Sequence, residues 1–242
     1  MNANDLDSCL NCGAQLQGPF CHQCGQAKSA KLVPVKEWIG DFLESLVELD
    51  SKLLRTLKRV LFYPGMATVD FTNGKRVSYT NPFKVYIIVS AVSIAAMSFQ
   101  GLFAVQAGQV QAGAEMDQEL IQRVQLLFPF GNLLSPFLTA FLMKLVQPKN
   151  FYQLHLTYSL HFWSFFIAGY TPLIFLPPNQ VLGAVANLIF IAWFLGYVYA
   201  AHRRVYSMRF VRRIFCYMTV IGSVVLAAIV INKLIVQIAS LL

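Results

Sequence analysis

Beyond Asp70 the chain carries only three acidic side chains, Glu115, Asp117 and Glu119, and its apolar residues gather into long runs. A helix rises about 1.5 Å per residue, so a hydrocarbon core about 30 Å thick needs about 20 apolar residues to cross it. Five segments reach that length, roughly 82–104, 126–146, 156–176, 181–200 and 214–236. The second carries Pro129, Gly131 and Pro136, the third Pro172. Over 242 residues the chain is 57% hydrophobic and 12% charged. A soluble domain is about 45–50% apolar and about 25% charged. That contrast excludes an ordinary soluble enzyme, a disordered tail and a collagen-like chain.

The formal net charge is +8, and its distribution decides its meaning. Residues 1–81 hold nine basic and eight acidic side chains, and the first 27 contain no Lys or Arg. Nucleic-acid binding requires clustered cations, so that partner is not expected. The excess sits beside the apolar runs instead. Lys84, Lys144 and Lys149 flank the first two spans, and Arg203, Arg204, Arg209, Arg212 and Arg213 follow the fourth. With residues 1–81 these place seventeen cations on one side, against Arg123 and Lys233 on the other. The positive-inside rule then predicts a cytoplasmic N-terminus and, with five spans, a C-terminus outside. The rival is four spans with a re-entrant second segment, which would move the Arg-rich loop across the membrane.

Four of the five cysteines lie within residues 9–24. They read Cys9-Leu10-Asn11-Cys12-Gly13 and Cys21-His22-Gln23-Cys24-Gly25. Residues 1–30 show no secretory signal, so a metal is expected in preference to disulfides. In each C-x-x-C-G knuckle the glycine supplies the positive φ of a tight turn. Two knuckles offer four soft ligands, Cys9, Cys12, Cys21 and Cys24, in the tetrahedron that Zn2+ favours in closed structural sites. Iron in a rubredoxin-like site is the rival ion, and His22 the rival ligand. A ribbon this short draws its folding energy from the metal.

From Val35 the apolar residues Trp38, Phe42, Leu46, Leu49, Leu53, Leu57, Val60 and Leu61 recur at helical spacing, with acidic residues leading and basic ones following. This predicts an amphipathic helix lying at the cytoplasmic interface or docked on the spans, ended by Pro64-Gly65. Asn73-Gly74 reads as a turn, and Pro82 as the first residue of the first span. Lys75 and Arg76 are candidate contacts for an anionic headgroup, with Arg203 and Arg204 as further candidates.

The double knuckle together with Arg55-Thr56-Leu57, Pro64-Gly65, Gly74-Lys75-Arg76, Tyr79 and Asn81-Pro82-Phe83 resembles a bacterial family of inner-membrane proteins that carries only a domain-of-unknown-function label. Such proteins join a zinc ribbon to a multi-spanning helical domain. The resemblance covers roughly residues 9–90 by motif, and it implies a cytosolic ribbon and no particular reaction.

None of the five spans contains Asp or Glu. An intramembrane aspartyl protease is excluded, and no H-E-x-x-H, G-x-S-x-G or phosphate-cradling glycine loop is present. His155 and His161 lie six residues apart and so do not form one ligand pair on a helix. His161 is expected to hydrogen-bond a neighbouring helix, His202 to be solvated in the basic loop, and Cys216 to be buried. Asn132, Asn187 and Asn232 are read as polar links between helices.

The predicted organisation is a small zinc ribbon over 1–30, an amphipathic helix and juxtamembrane linker over 34–81, and an all-α polytopic membrane domain of about five transmembrane helices over 82–242. The leading functional expectation is non-enzymatic: a membrane-tethered module that docks a cytosolic protein through the ribbon. A transporter or channel for a small or lipidic solute comes second, a lipid-modifying enzyme last.

Overall fold

The computed structural model describes residues 8–28, 51–106, 133–176, 181–206 and 210–239, with the side chains of 101–106, of 210–212 and of part of the last helix outside the description. Among these residues are seven α-helices, one 3-10 turn and no strand. Helix α1 spans Ser51–Phe62 and α2 spans Met66–Thr72. Helix α3 spans Pro82–Gln106, α4 Ser135–Val146, α5 Tyr152–Tyr170, α6 Val181–Val205 and α7 Phe210–Ala239.

Local chemistry sets most of these boundaries. Proline cannot donate within a helix, and Pro64 with Gly65 turns the chain between α1 and α2. Asn81 caps α3, its Oδ1 accepting from the Phe83 N–H at 3.0 Å, so Pro82 falls at the first helical position as expected. Pro136 sits in the first turn of α4, and Pro172 ends α5 by opening the 3-10 turn Thr171–Phe175.

Helix α5 is the centre of the bundle. Every side chain from His155 to Phe165 is buried, and α5 packs against α1, α2, α3, α4 and α6. Polar threads cross the apolar packing. The Trp163 indole donates to Thr139 Oγ1 at 3.0 Å, and Thr139 pairs with Ser223 at 3.0 Å, which joins α5, α4 and α7. The Tyr197 hydroxyl of α6 donates to the Val60 carbonyl of α1. The Thr80 N–H donates to Thr56 Oγ1 at 2.9 Å, pinning the approach to α3 onto α1.

Two helices are long and apolar enough to cross a membrane: α6, and Pro82–Gln100 within α3. Only 28% of the most apolar stretch of α6 is buried inside the molecule. Of the five expected spans, these two alone among the described residues have both the length and the apolarity of a crossing. Helix α4 has 12 residues, about 18 Å of rise, which is short of a bilayer core. The first part of that expected span lies outside the described residues. Helix α5 is 19 residues long but carries His155, Thr157, Ser159, His161 and Ser164, all buried against its neighbours, and it does not reach the hydropathy of a crossing helix. Helix α7 is 30 residues long, and its side chains are described only in part.

The amphipathic connector is described from Ser51 onward; 29–50 lie outside the described residues. The described part docks on the bundle through buried Leu53, Thr56 and Val60. Leu54 and Phe62 stay exposed on its other side.

Candidate metal centre

The two knuckles are built alike, at a step of twelve residues from Cys9 to Cys21. Each is a short hairpin closed by one antiparallel bridge, Ser8 with Gln15 and Phe20 with Ala27. The Cys9 N–H donates to Ala14 O at 2.7 Å and the Gly13 N–H to Cys9 O at 2.8 Å. The second knuckle repeats this, with Cys21 N–H to Gln26 O and Gly25 N–H to Cys21 O, both 2.8 Å. Gly13 and Gly25 take φ of 80° and 73°, the left-handed conformation that the spacing predicts.

The fold brings all four sulfurs together, every Sγ lying within 4.8 Å of the others. Cys9 and Cys24 are 3.6 Å apart, Cys12 and Cys21 3.5 Å, and all four are free thiols. A tetrahedron with metal–sulfur bonds of about 2.3 Å has sulfur–sulfur edges of about 3.8 Å. The two close pairs, at 3.6 and 3.5 Å, lie near that edge and well beyond a disulfide bond of about 2.05 Å. Four close cysteines are therefore arranged so that they could bind a metal ion. His22 is exposed and stands outside the cluster.

The electrostatics agree. The Cys24 amide, with that of Gln23, pulls the Cys21 thiol down to about 6. The Ala14 amide pulls Cys12 the same way, but desolvation and the neighbouring thiols outweigh it and push Cys12 up to about 12. Four like charges at this spacing repel, and a central cation is the group that lets all four ionise together.

The ribbon is fastened to the helical body by a residue that the motif does not announce. Gln26 is 3% exposed, and its amide makes three contacts. Nε2 donates to Gly74 O at 2.6 Å, while Oε1 accepts from the N–H groups of Arg76 and Val77 at 3.1 and 3.3 Å. Asn11 Oδ1 adds a bond from the Ser78 N–H at 3.1 Å. Gly74, at φ 96°, lies so close to Leu10 that a Cβ there would meet Leu10 Cδ1 at 2.7 Å. The Asn73-Gly74 turn is thus the seat of the ribbon.

The candidate headgroup contacts disperse. Lys75 Nζ donates to Asp70 Oδ1 at 3.0 Å, and Arg76 lies 5.6 Å from the Phe71 ring centroid. Arg204 Nη1 donates to Pro64 O at 2.6 Å, and Arg203 is exposed. Asp70, which sequence reasoning passed over, gathers Lys75, Arg59 at 3.6 Å and the Tyr79 hydroxyl. Burial alone would raise this carboxyl, but Tyr79, Lys75 and Arg59 outweigh that and hold it below its ordinary value. Burial and the Asp70 contact push Tyr79 up to about 12. The signal for Asp70 was its isolation as the one acid between Asp50 and Glu115.

His161 Nδ1 shares a hydrogen bond with Thr68 Oγ1 at 3.0 Å, the expected link to a neighbouring helix. Cys216 is buried, also as expected. His202 is a correction: it is fully buried rather than solvated, because α6 continues past 200 and keeps the buried face of Phe194, Tyr197, Val198 and Ala201. Its ring lies 4.6 Å from that of Tyr206, whose hydroxyl bonds His155 Nδ1 at 2.9 Å. Asn187 bonds Gly183 O on its own helix at 2.8 Å instead of linking two helices. Asn132 lies outside the described residues, and so does the side chain of Asn232.

Residues 50–94 match the family model described as "Protein of unknown function (DUF3667)". The match takes in α1, α2, the Gly74–Ser78 seat and the first half of α3, and leaves the cysteines outside it. No curated protein and no solved structure matches the chain.

Proposed function

We propose that the chain is a non-enzymatic integral membrane protein of a bacterial cytoplasmic membrane, multi-pass and with its N-terminus cytoplasmic. Its four-cysteine module is a structural zinc ribbon that serves as a docking or scaffold element for a cytosolic protein. The observation that carries this reading is the Gln26 clamp, which seats the ribbon on the turn leading into α3. A partner that grips the ribbon then grips the membrane domain. With four thiolates bound the ion has no open position, so it braces the knuckles and activates no water. The orientation draws support from the clustering of Arg59, Lys75, Lys149 and Arg204 around α2 and the ends of α1 and α6.

Elemental analysis of the detergent-purified chain is expected to give roughly one zinc per chain, falling to a small fraction in Cys12→Ser. A cytosolic protein that co-purifies with the wild type is expected to be lost from the same variant. Iron in place of zinc would change the ion; sulfurs paired as disulfides, or no partner in either preparation, would overturn the reading.

A second reading, a transporter or channel for a small or lipidic solute, draws on the buried ring cluster of His155, Tyr158, His202 and Tyr206 between α5 and α6. Neither ring nitrogen of His202 has a hydrogen-bond partner among the described residues. Solute flux in reconstituted liposomes that disappears in Tyr206→Phe would favour this reading over docking.

A further inference from the structure

The ribbon leaves unexplained a cleft of about 450 Å³ between α2, the loop before α5 and the C-terminal end of α6. Its polar lining is Thr72, Asn73, Lys149, Asn150 and Arg204, with no carboxylate among them. Two cations from separate parts of the chain therefore share one hollow. Asp70 is the one acidic side chain among the described residues, and it is already engaged by Lys75, Arg59 and Tyr79. Lys149 makes no ion pair or hydrogen bond among the described residues.

The cations ride on braced backbone. Lys144 Nζ ties the carbonyls of Pro148 and Asn150, both at 2.8 Å, and Asn150 Nδ2 donates to Gln147 Oε1 at 3.0 Å. These bonds hold the loop that carries Lys149. Arg204 is held on the other wall by its bond to Pro64 O. Phe151, which also lines the cleft, is the N-cap of α5, and no side chain caps that helix. The positive end of a 19-residue helix therefore opens at the rim and adds to the same field. Carboxamide donors on Asn73 and Asn150 supply neutral hydrogen bonds around the two charges, while the Thr72 hydroxyl donates to Thr68 O at 2.8 Å.

We propose that this cleft binds a phosphate group, borne either by an anionic lipid headgroup at the membrane surface or by a soluble phosphate ester. Phosphate fits because several acceptor oxygens on one anion match an ammonium, a guanidinium and amide donors converging from three elements. The site goes beyond the docking reading and does not depend on the ribbon's metal.

The test titrates the full chain in non-ionic detergent at low ionic strength with short-chain phosphatidic acid, with inorganic phosphate as competitor. Lys149→Gln is expected to weaken phosphatidic acid binding roughly tenfold. Lys28→Gln, an exposed cation on the cysteine module and outside the cleft lining, is expected to change it less than about twofold. Since Lys149 is exposed, its variant is expected to melt with the wild type, which separates lost binding from lost folding. Competition by inorganic phosphate assigns the site to soluble phosphate, and its absence assigns the site to the headgroup. Equal weakening by the two variants, or no binding of either probe, overturns the proposal.

Discussion

Asp70 shows how one residue acquires weight from its surroundings. It neutralises part of a strongly cationic region, accepting from Tyr79 and Lys75 while Arg59 stands 3.6 Å away. A carboxyl held below its ordinary value of 3.8 stabilises the fold above that pH, and the contribution is lost as pH falls below it. Asp70→Asn should lower stability near neutral pH by about 1–2 kcal/mol, a figure discounted for the exposure of Lys75. The difference between variant and wild type should shrink on acidification. Thermal melts in detergent at several pH values check this, and identical midpoints near neutrality would remove the role assigned to Asp70. The cysteines were legible at this same scale, because C-x-x-C-G spacing restricts the backbone so tightly that little else fits. Gln26 could not be read in that way. One glutamine in a polar stretch has no local signature, and its value lies in three partners about fifty residues away.

At the scale of elements, stops and starts were readable and faces were not. Pro64, Asn81-Pro82 and Pro172 each end or begin an element through the geometry of the pyrrolidine ring or an asparagine cap. Hydropathy averages over a helix, so it ended the fourth span near 200, before the cations. The buried side of α6 runs on to His202 because packing follows one face of the helix. The contact between ribbon and turn is the element-scale claim that is easiest to break. Gln26→Leu removes three hydrogen bonds and leaves Gly74 O and the Arg76 and Val77 amides without that partner. Detachment should cost about 2–4 kcal/mol. Hydrogen exchange at Arg76 and Val77 should accelerate while the metal content stays at the wild-type level. Unchanged protection at those two amides would show that the ribbon is held by something else.

Across the whole molecule the burial pattern divides the helices. Helix α5 is enclosed by its neighbours, whereas α6 turns Leu182, Leu188, Ile189 and Ile191 outward. Apolar area of that extent is unfavourable in water by about 25 cal/mol per Å². A bilayer removes the penalty. Alkaline carbonate washing of membranes from expressing cells should therefore leave the chain in the pellet, and release into the supernatant would show that another protein covers α6 instead. The helical class was legible in the apolar runs, and two of them form helices long and apolar enough to cross a membrane. The expected five spans are not matched among the described residues, since α4 is short and α5 carries polar side chains along an enclosed face.

The seat at Gly74–Ser78 leads through Tyr79 and Thr80 straight to Asn81, where α3 begins. Hardly any slack separates the four-cysteine tip from the first long helix. Torque applied at the tip would thus be handed on as rotation or tilt of that rod, so the molecule is geared like a crank handle and its shaft.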